Sequence, residues 1–301
     1  MVKPVISICV PTYNRKEKLK KLLNSIACEH EQKIEVVIVD DGSDDGTADY
    51  CSHLERDYSH VLIQQKNQGR SSALRNAIMN ASGEFIVIMD SDDFFVGGAI
   101  DTIFSKLNEH QLLLSSQEIC GLVFNCIDEN KALIGGNFLA EGINNFTHYR
   151  AEEGIIGDKK EVVRRKLLQS VLYDLVDEER RMPTSIMWNR LSRNYDVITV
   201  KSALAVKEYT ADGMSSMSSE LRMQSPGSSF LYYHEHIMDY RVTYRSRRYA
   251  FRIASNLIRY ACHKRSFDIM SGLTLSQKAV VTISLPFGVA LFFRDIMKKK
   301  V

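Results

Sequence analysis

The chain lacks most of the short signatures that declare a chemistry by themselves. No G-x-G-x-x-G follows its first strand-like run, because PTYNRK holds no glycine, and this excludes a dinucleotide fold. No G-x-x-x-x-G-K-[ST] occurs, which removes a P-loop. His234-Glu235-His236 misses the H-E-x-x-H spacing that sets two imidazoles on one helix face, so it reads as part of a surface helix. Asp41-Gly42-Ser43-Asp44-Asp45-Gly46 imitates the start of an EF-hand loop, but position twelve is Ser52 and not glutamate, which rejects calcium there. Six cysteines (Cys9, Cys28, Cys51, Cys120, Cys126, Cys262) include no C-x-x-C pair and read as buried thiols of a reducing compartment. Lys3 and Pro4 run straight into a short strand, so no signal peptide is expected. The net charge is only +2, which argues neither for nor against nucleic acid.

What is present is an ordinary globular balance, 45% hydrophobic and 25% charged over 301 residues. Strand and helix patterns alternate to about residue 105. VISICV (5–10), IEVVIVD (34–40), VLIQQ (61–65) and EFIVIMD (84–90) read as strands, and Lys16–Ile26, Thr47–Leu54 and Ser71–Ala81 as the helices between them. That alternation predicts an α/β fold with a mostly parallel sheet flanked by helices. Later, GLVFNCI (121–127) and ALIGG (132–136) read as a strand and its return, Lys159–Tyr173 as a helix and Val197–Tyr209 as a strand. From Phe230 onward the pattern is helical and basic.

The run Phe85–Met89 is apolar throughout, then ends in Asp90, Ser91, Asp92 and Asp93. Carboxylates so placed repel one another and need a positive partner. In open α/β sheets ligands sit beyond the carboxyl ends of the strands. Three of those ends are chemically loaded: PTYNR, DDGSDDG and DSDD. NQGRSSALRN adds Arg70 and Arg75 near a helix start, a ready anion site. Any one loop is explained by turn chemistry alone. The set, in strand order, points to a divalent cation carrying a nucleotide diphosphate. An aspartyl phosphotransferase at Asp90 would leave the first two loops without a purpose.

ISICVPTYNR (6–15), VVIVDDGSDDGT (36–47), NQGRSSALRNA (67–77) and GEFIVIMDSDD (83–93) resemble, in order and spacing, glycosyltransferase family 2, inverting enzymes of the GT-A fold. GDKKEVVRR, MPTSIMWNRL and YTADGMS resemble blocks of the bacterial cell-surface members. The resemblance implies a base pocket of Pro11, Thr12 and Tyr13, with Asp41 accepting from a uracil. It puts Asp90 on the ribose with Ser91 beside it, Arg70 and Arg75 at the diphosphate, and Asp92 with Asp93 on Mg²⁺ or Mn²⁺. It further implies a nucleotide-sugar donor, a UDP-sugar, with a glycan or polyprenyl-linked acceptor and no nucleic acid.

Family members carry an acidic base in the acceptor-side loop, where this chain has Pro183, Thr184 and Ser185. Base candidates are Asp158 and Glu179, with Asp177 and Glu178 adjacent to the latter. The bland reading of Asp158 is a helix N-cap ahead of Lys159–Tyr173. Without a base, the chain would be a non-catalytic nucleotide-sugar-binding subunit of a transferase complex. The expected division is a nucleotide-sugar-binding half (1–110), an acceptor-side half (111–215) and a helical basic region (216–301). Trp188 reads as core or acceptor-side packing. Fifteen uncharged residues, 279–293, would form a helix of about 22 Å, short of the roughly 30 Å of hydrocarbon, and Pro286 and Gly288 weaken it. With Arg294 and Lys298–Lys300 it reads as an interfacial anchor, or as a helix packed on the catalytic domain with a solvated basic side; the first reading predicts a cytoplasmic protein, peripheral at the inner face of the membrane.

Overall fold

Strands that are apolar on both faces are fully buried only inside a covered sheet, and three of the first four strands show this. A computed structural model describes residues 3–176, 179–208, 218–239, 246–265 and 268–298. It opens with β1 (Ile6–Thr12), α1 (Lys16–Ser25), β2 (Ile34–Asp40), α2 (Thr47–Ser52), β3 (Ser59–Gln64), α3 (Arg70–Asn80) and β4 (Phe85–Ile88). β1, β2 and β4 are buried along their whole length, whereas β3, at the edge of the sheet, exposes alternate positions. All three pairings are parallel, in the order β3-β2-β1-β4. Thr12 pairs with Asp40 and Asp40 with Gln64, so these strands finish level along one edge of the sheet.

Next come β5 (Asp93–Phe95), α4 (Ala99–Glu109), α5 (Gln111–Ser115), β6 (Ile119–Asp128), β7 (Gly142–Asn144), α6 (Phe146–Ala151), β8 (Lys159–Arg164), α7 (Arg165–Ser170), α8 (Ser185–Ser192) and β9 (Asp196–Lys207). The sheet continues β4-β8-β6-β9-β5, with β7 on β9. β8 runs antiparallel to both neighbours. Here the expectation of one helix over Lys159–Tyr173 fails: residues 159–164 are a central strand and only Arg165–Ser170 is helical. Val162 and Val163 fit a helix stripe or a strand equally well, and pairing with β4 and β6, remote in sequence, decides between them. The expected return at ALIGG is reduced to one antiparallel bridge, Ile127 to Leu133.

The chain divides into two compact units. The first (Met1–Asn145, Ile155–Leu172, Asn194–Thr210) holds the sheet. Its core joins Ile8, Val10, Ile38 and Val87 to Leu19, Leu22 and Leu23 of α1. The second (Phe146–Gly154, Tyr173–Arg193, Ala211–Val301) is helical among its described residues. It contains α6, α8, α9 (Ser218–Gln224), α10 (Pro226–Ile237), α11 (Arg247–Lys264) and α12 (Leu275–Lys298).

In the second unit Trp188 stacks on Phe146, with centroids 5.5 Å apart, as a core residue. His236 is buried, against the surface position expected of it. α12 continues through Pro286, against the expected weakening. Gly288 is what allows its close approach to α11, since a Cβ there would stand 2.4 Å from Ile258 Cβ and 2.7 Å from the Ser255 carbonyl.

Candidate active site

Four loops leave the carboxyl ends of β1 to β4, and side chains tie them into one rim. The Asn14 N–H donates to Ser43 Oγ at 2.9 Å, and the Asp44 N–H donates back to Asn14 Oδ1 at 2.9 Å. These bonds join the first loop to the second, with Asn14 in the left-handed region that asparagine tolerates. Asp41 joins the second loop to the third. Its Oδ1 accepts from Gln65 Nε2 at 2.8 Å and the Gln68 N–H at 2.9 Å, and its Oδ2 accepts from the Gly69 N–H at 2.7 Å. Gly69 has φ +91°, which a larger residue would strain to adopt. Arg70 then closes on the fourth loop, donating from Nε to Asp90 Oδ1 at 2.7 Å. Arg15, from the first loop, pairs with Asp92.

Each side chain named from the sequence has a definite setting. Pro11 and Thr12 are buried at the end of β1, and Thr12 Oγ1 has no hydrogen-bond partner among the described residues. Tyr13 is 47% exposed. Ser91 is buried between Asp90 and Asp92. Arg75 lies half-buried on α3. Burial works against ionisation of Asp90, but Arg70, then Lys207 and Lys160, outweigh it and hold its carboxyl well below the usual carboxylate range.

Two expectations need correction. Asp93 does not reach the rim as a metal ligand. It is buried, and its Oδ2 lies 2.9 Å from Lys160 Nζ and 3.1 Å from Lys207 Nζ. Glu179 is no base: its two oxygens accept the N–H groups of Gly227 at 2.6 Å and Ser228 at 2.7 Å, capping α10. Asp177, Glu178 and the YTADGMS block lie outside the described residues. Thr184 and Ser185 open α8. Asp158 precedes a strand, so it caps no helix; its carboxylate is 47% exposed and 3.4 Å from Lys207 Nζ.

Lys207 and Lys160 are the charges that the sequence reading missed. Burial tends to discharge Lys207, but Asp90, Asp93 and Asp158 overcome it and raise its pKa above the ordinary lysine value. A strand reading of GDKKEVVRR would have exposed the signal, because it forces Lys160 into the centre of a sheet.

No group of three or more His, Cys, Asp or Glu side chains gathers to hold a metal among the described residues. Magnesium and manganese sites on nucleotides need fewer, commonly one or two carboxylates with phosphate oxygens completing the shell. Asp92 at the rim fits that donor set, and Asp93 does not.

Residues 7–168 match the family model described as glycosyl transferase family 2. The chain is 28% identical over 174 residues to a GalNAc(5)-diNAcBac-PP-undecaprenol beta-1,3-glucosyltransferase of Campylobacter jejuni, covering 56% of this chain and 54% of that protein. It spans 16% and 36% of the length of the glycosyltransferases GlyA and GlyG of Streptococcus pneumoniae. Among solved structures it resembles residues 1–349 of Staphylococcus aureus TarS in complex with UDP, with TM-score 0.62, 18% identity, and 94% of this chain and 80% of that one covered. It also resembles the mannosyltransferase PcManGT of Pyrobaculum calidifontis in complex with GDP-Man and Mn²⁺, with TM-score 0.59, 16% identity, and 98% and 88% covered. At these identities the structural likeness shows the fold alone, and it is the GT-A fold expected from the sequence.

Proposed function

The chain belongs to glycosyl transferase family 2, and from that premise we propose that it moves a sugar from a UDP-sugar, with inversion, to a hydroxyl of a glycan or lipid-linked acceptor in surface polysaccharide synthesis. The observation that carries this is the rim itself: four loops in strand order, tied by Asn14, Asp41, Arg70 and Arg15, at the edge of the sheet where β1 ends in a buried Thr12 hydroxyl without a partner among the described residues. The UDP complex of TarS and the undecaprenol-linked acceptor in the name of the Campylobacter relative support the donor and acceptor classes. Free cysteines throughout suit a cytoplasmic enzyme.

In this reading the Tyr13 ring covers the base and Asp90 holds the ribose. Asp41 keeps the third loop in place, so that Arg70 and Arg75 meet the diphosphate. Asp92 would hold a divalent cation, in keeping with the GDP-Man and Mn²⁺ complex of PcManGT, and that cation would supply charge neutralisation for the leaving group. The acceptor oxygen forms its bond to the anomeric carbon as the bond to the diphosphate breaks, on the opposite face. Asp158 takes the hydroxyl proton, a task that requires hydrogen-bond reach of about 2.6–3.2 Å. Asp158→Asn separates this from the binding-subunit reading, which Thr184 and Ser185 at the acceptor-side motif favour: the enzyme loses transfer and keeps UDP affinity, whereas a binding subunit has no transfer to lose.

Asp92→Ala tests the donor side. It removes an ion pair near the surface, worth at most about 1 kcal/mol, so the melting temperature stays close to the parent's. Release of UDP from a panel of UDP-sugars should fall at least about a hundredfold, the scale of one transition-state charge contact. Unchanged release by the folded variant would reject the role of Asp92.

A further inference from the structure

α12 turns two unlike faces outward and inward. Toward α11 it presents Val281, Ser284, Gly288 and Asp295, all buried. On the opposite side Ala279, Ile283, Pro286, Ala290, Phe293 and Met297 recur at steps of three or four residues, and all are exposed. Ile283 is 67%, Phe293 56% and Met297 63% exposed. The stripe runs about 27 Å along the helix at 1.5 Å per residue. An apolar surface of that length on one helix marks an interaction site.

The exposed charges on the two helices have one sign, and one exposed acid, Asp268, lies in the connection between them. The exposed charged residues of α11 are Arg247, Arg248, Arg252 and Lys264, and the helix has no acid. Those of α12 are Lys278, Arg294 and Lys298. Its one acid, Asp295, is buried, 2.7 Å from Arg259 Nη2 and 3.0 Å from His263 Nε2. The hairpin thus offers the surroundings an apolar stripe and positive charge.

We propose that α12, seated on α11, docks in the plane of an anionic lipid surface through this stripe, with Arg294 and Lys298 at the headgroups. Charge complementarity selects this occupant. A second copy packed on the stripe would bring Lys278, Arg294 and Lys298 against their own kind. A spanning helix is disfavoured by what lies beneath. The 24 residues of α12 reach about 36 Å, enough for a bilayer. Crossing would strip α12 from α11 and leave Asp295 without Arg259 in hydrocarbon. The docking stands apart from sugar transfer and fails or holds separately from it.

Flotation of the full chain with vesicles tests it. The protein should float with phosphatidylcholine mixed with phosphatidylglycerol and stay behind with phosphatidylcholine alone. Apparent affinity should drop about tenfold or more from low to high salt, because the charges are screened. Ile283→Glu combined with Phe293→Glu, both exposed, should abolish flotation while the melting temperature holds. Should that variant not fold, Arg294→Glu with Lys298→Glu gives the same reading from the charged side. Equal, salt-insensitive flotation on neutral vesicles would overturn the proposal. So would resistance to an alkaline carbonate wash, which marks a span, or unchanged flotation of the variants. A dimer in light scattering that the apolar variant splits, with no flotation by the parent, would assign the stripe to a second copy instead.

Discussion

Lys160 carries its charge near the start of β8, where it donates to Asp93 at 2.9 Å and to the Ile88 carbonyl at 3.3 Å. Burial alone would discharge it, yet Asp93 leads the contacts that raise its pKa. Asp93 in turn leans on Lys207. The pair brace the floor of the rim on which Asp90 and Asp92 stand. Lys160→Met should therefore cost about 3 kcal/mol in urea unfolding, because it strips a buried carboxylate of one of two partners. Lys160→Met with Asp93→Asn should cost less than the sum of the single changes. A single-variant loss below about 1 kcal/mol would show that Lys207 suffices. At this scale the sequence is read best where chemistry is concentrated in loops. The Asp and Arg of the rim stand out because they cluster where apolar strands end, whereas the setting of Asp93 is not legible because its partners come from strands 67 and 114 residues further along.

The elements differ in how far their own residues decide them. β1, β2 and β4 are legible because most of their positions are apolar and the flanking loops carry glycine, proline or aspartate. β8 is not, since four of its six residues are charged and only its place between β4 and β6 makes it a strand. α10 is legible as a helix, but not in which side it buries. His236, within it, is packed against Tyr249, with ring centroids 5.5 Å apart. Its burial first, then the charges of Arg150, Arg193 and Arg252, push its pKa down to about 3. The imidazole is thus neutral when folded and titrates near its ordinary value of 6.5 when unfolded. The unfolded chain then binds the extra proton, so stability is full above about pH 6.5 and falls as pH drops below it. Denaturant unfolding of the second unit, followed by a probe placed there, should show a loss of about 1.4 kcal/mol between about pH 7.5 and pH 5.5. His236→Gln should flatten that difference; an equal slope in the variant would assign the proton to another group.

For the whole molecule, the sequence declares its fold through the order of four blocks, and the GT-A likeness extends over 94% of the chain to TarS. The later half was harder to read. Its long strand β9 returns from residue 196 to pair with β6 in parallel, and the long-range register leaves no local mark. The proposed donor site lies at one edge of the sheet, where Arg15 pairs with Asp92 and Arg70 with Asp90, and where β1 ends in a Thr12 hydroxyl without a partner among the described residues. The most direct test of that centre is anomalous diffraction from crystals grown with UDP and Mn²⁺. The account predicts a manganese peak at coordination distance from an Asp92 oxygen, about 2.0–2.2 Å, bridging to the diphosphate, with the uracil on Tyr13 and Arg15 displaced from Asp92. A rim without manganese while Arg15 still holds Asp92, or UDP bound elsewhere on the chain, would contradict it.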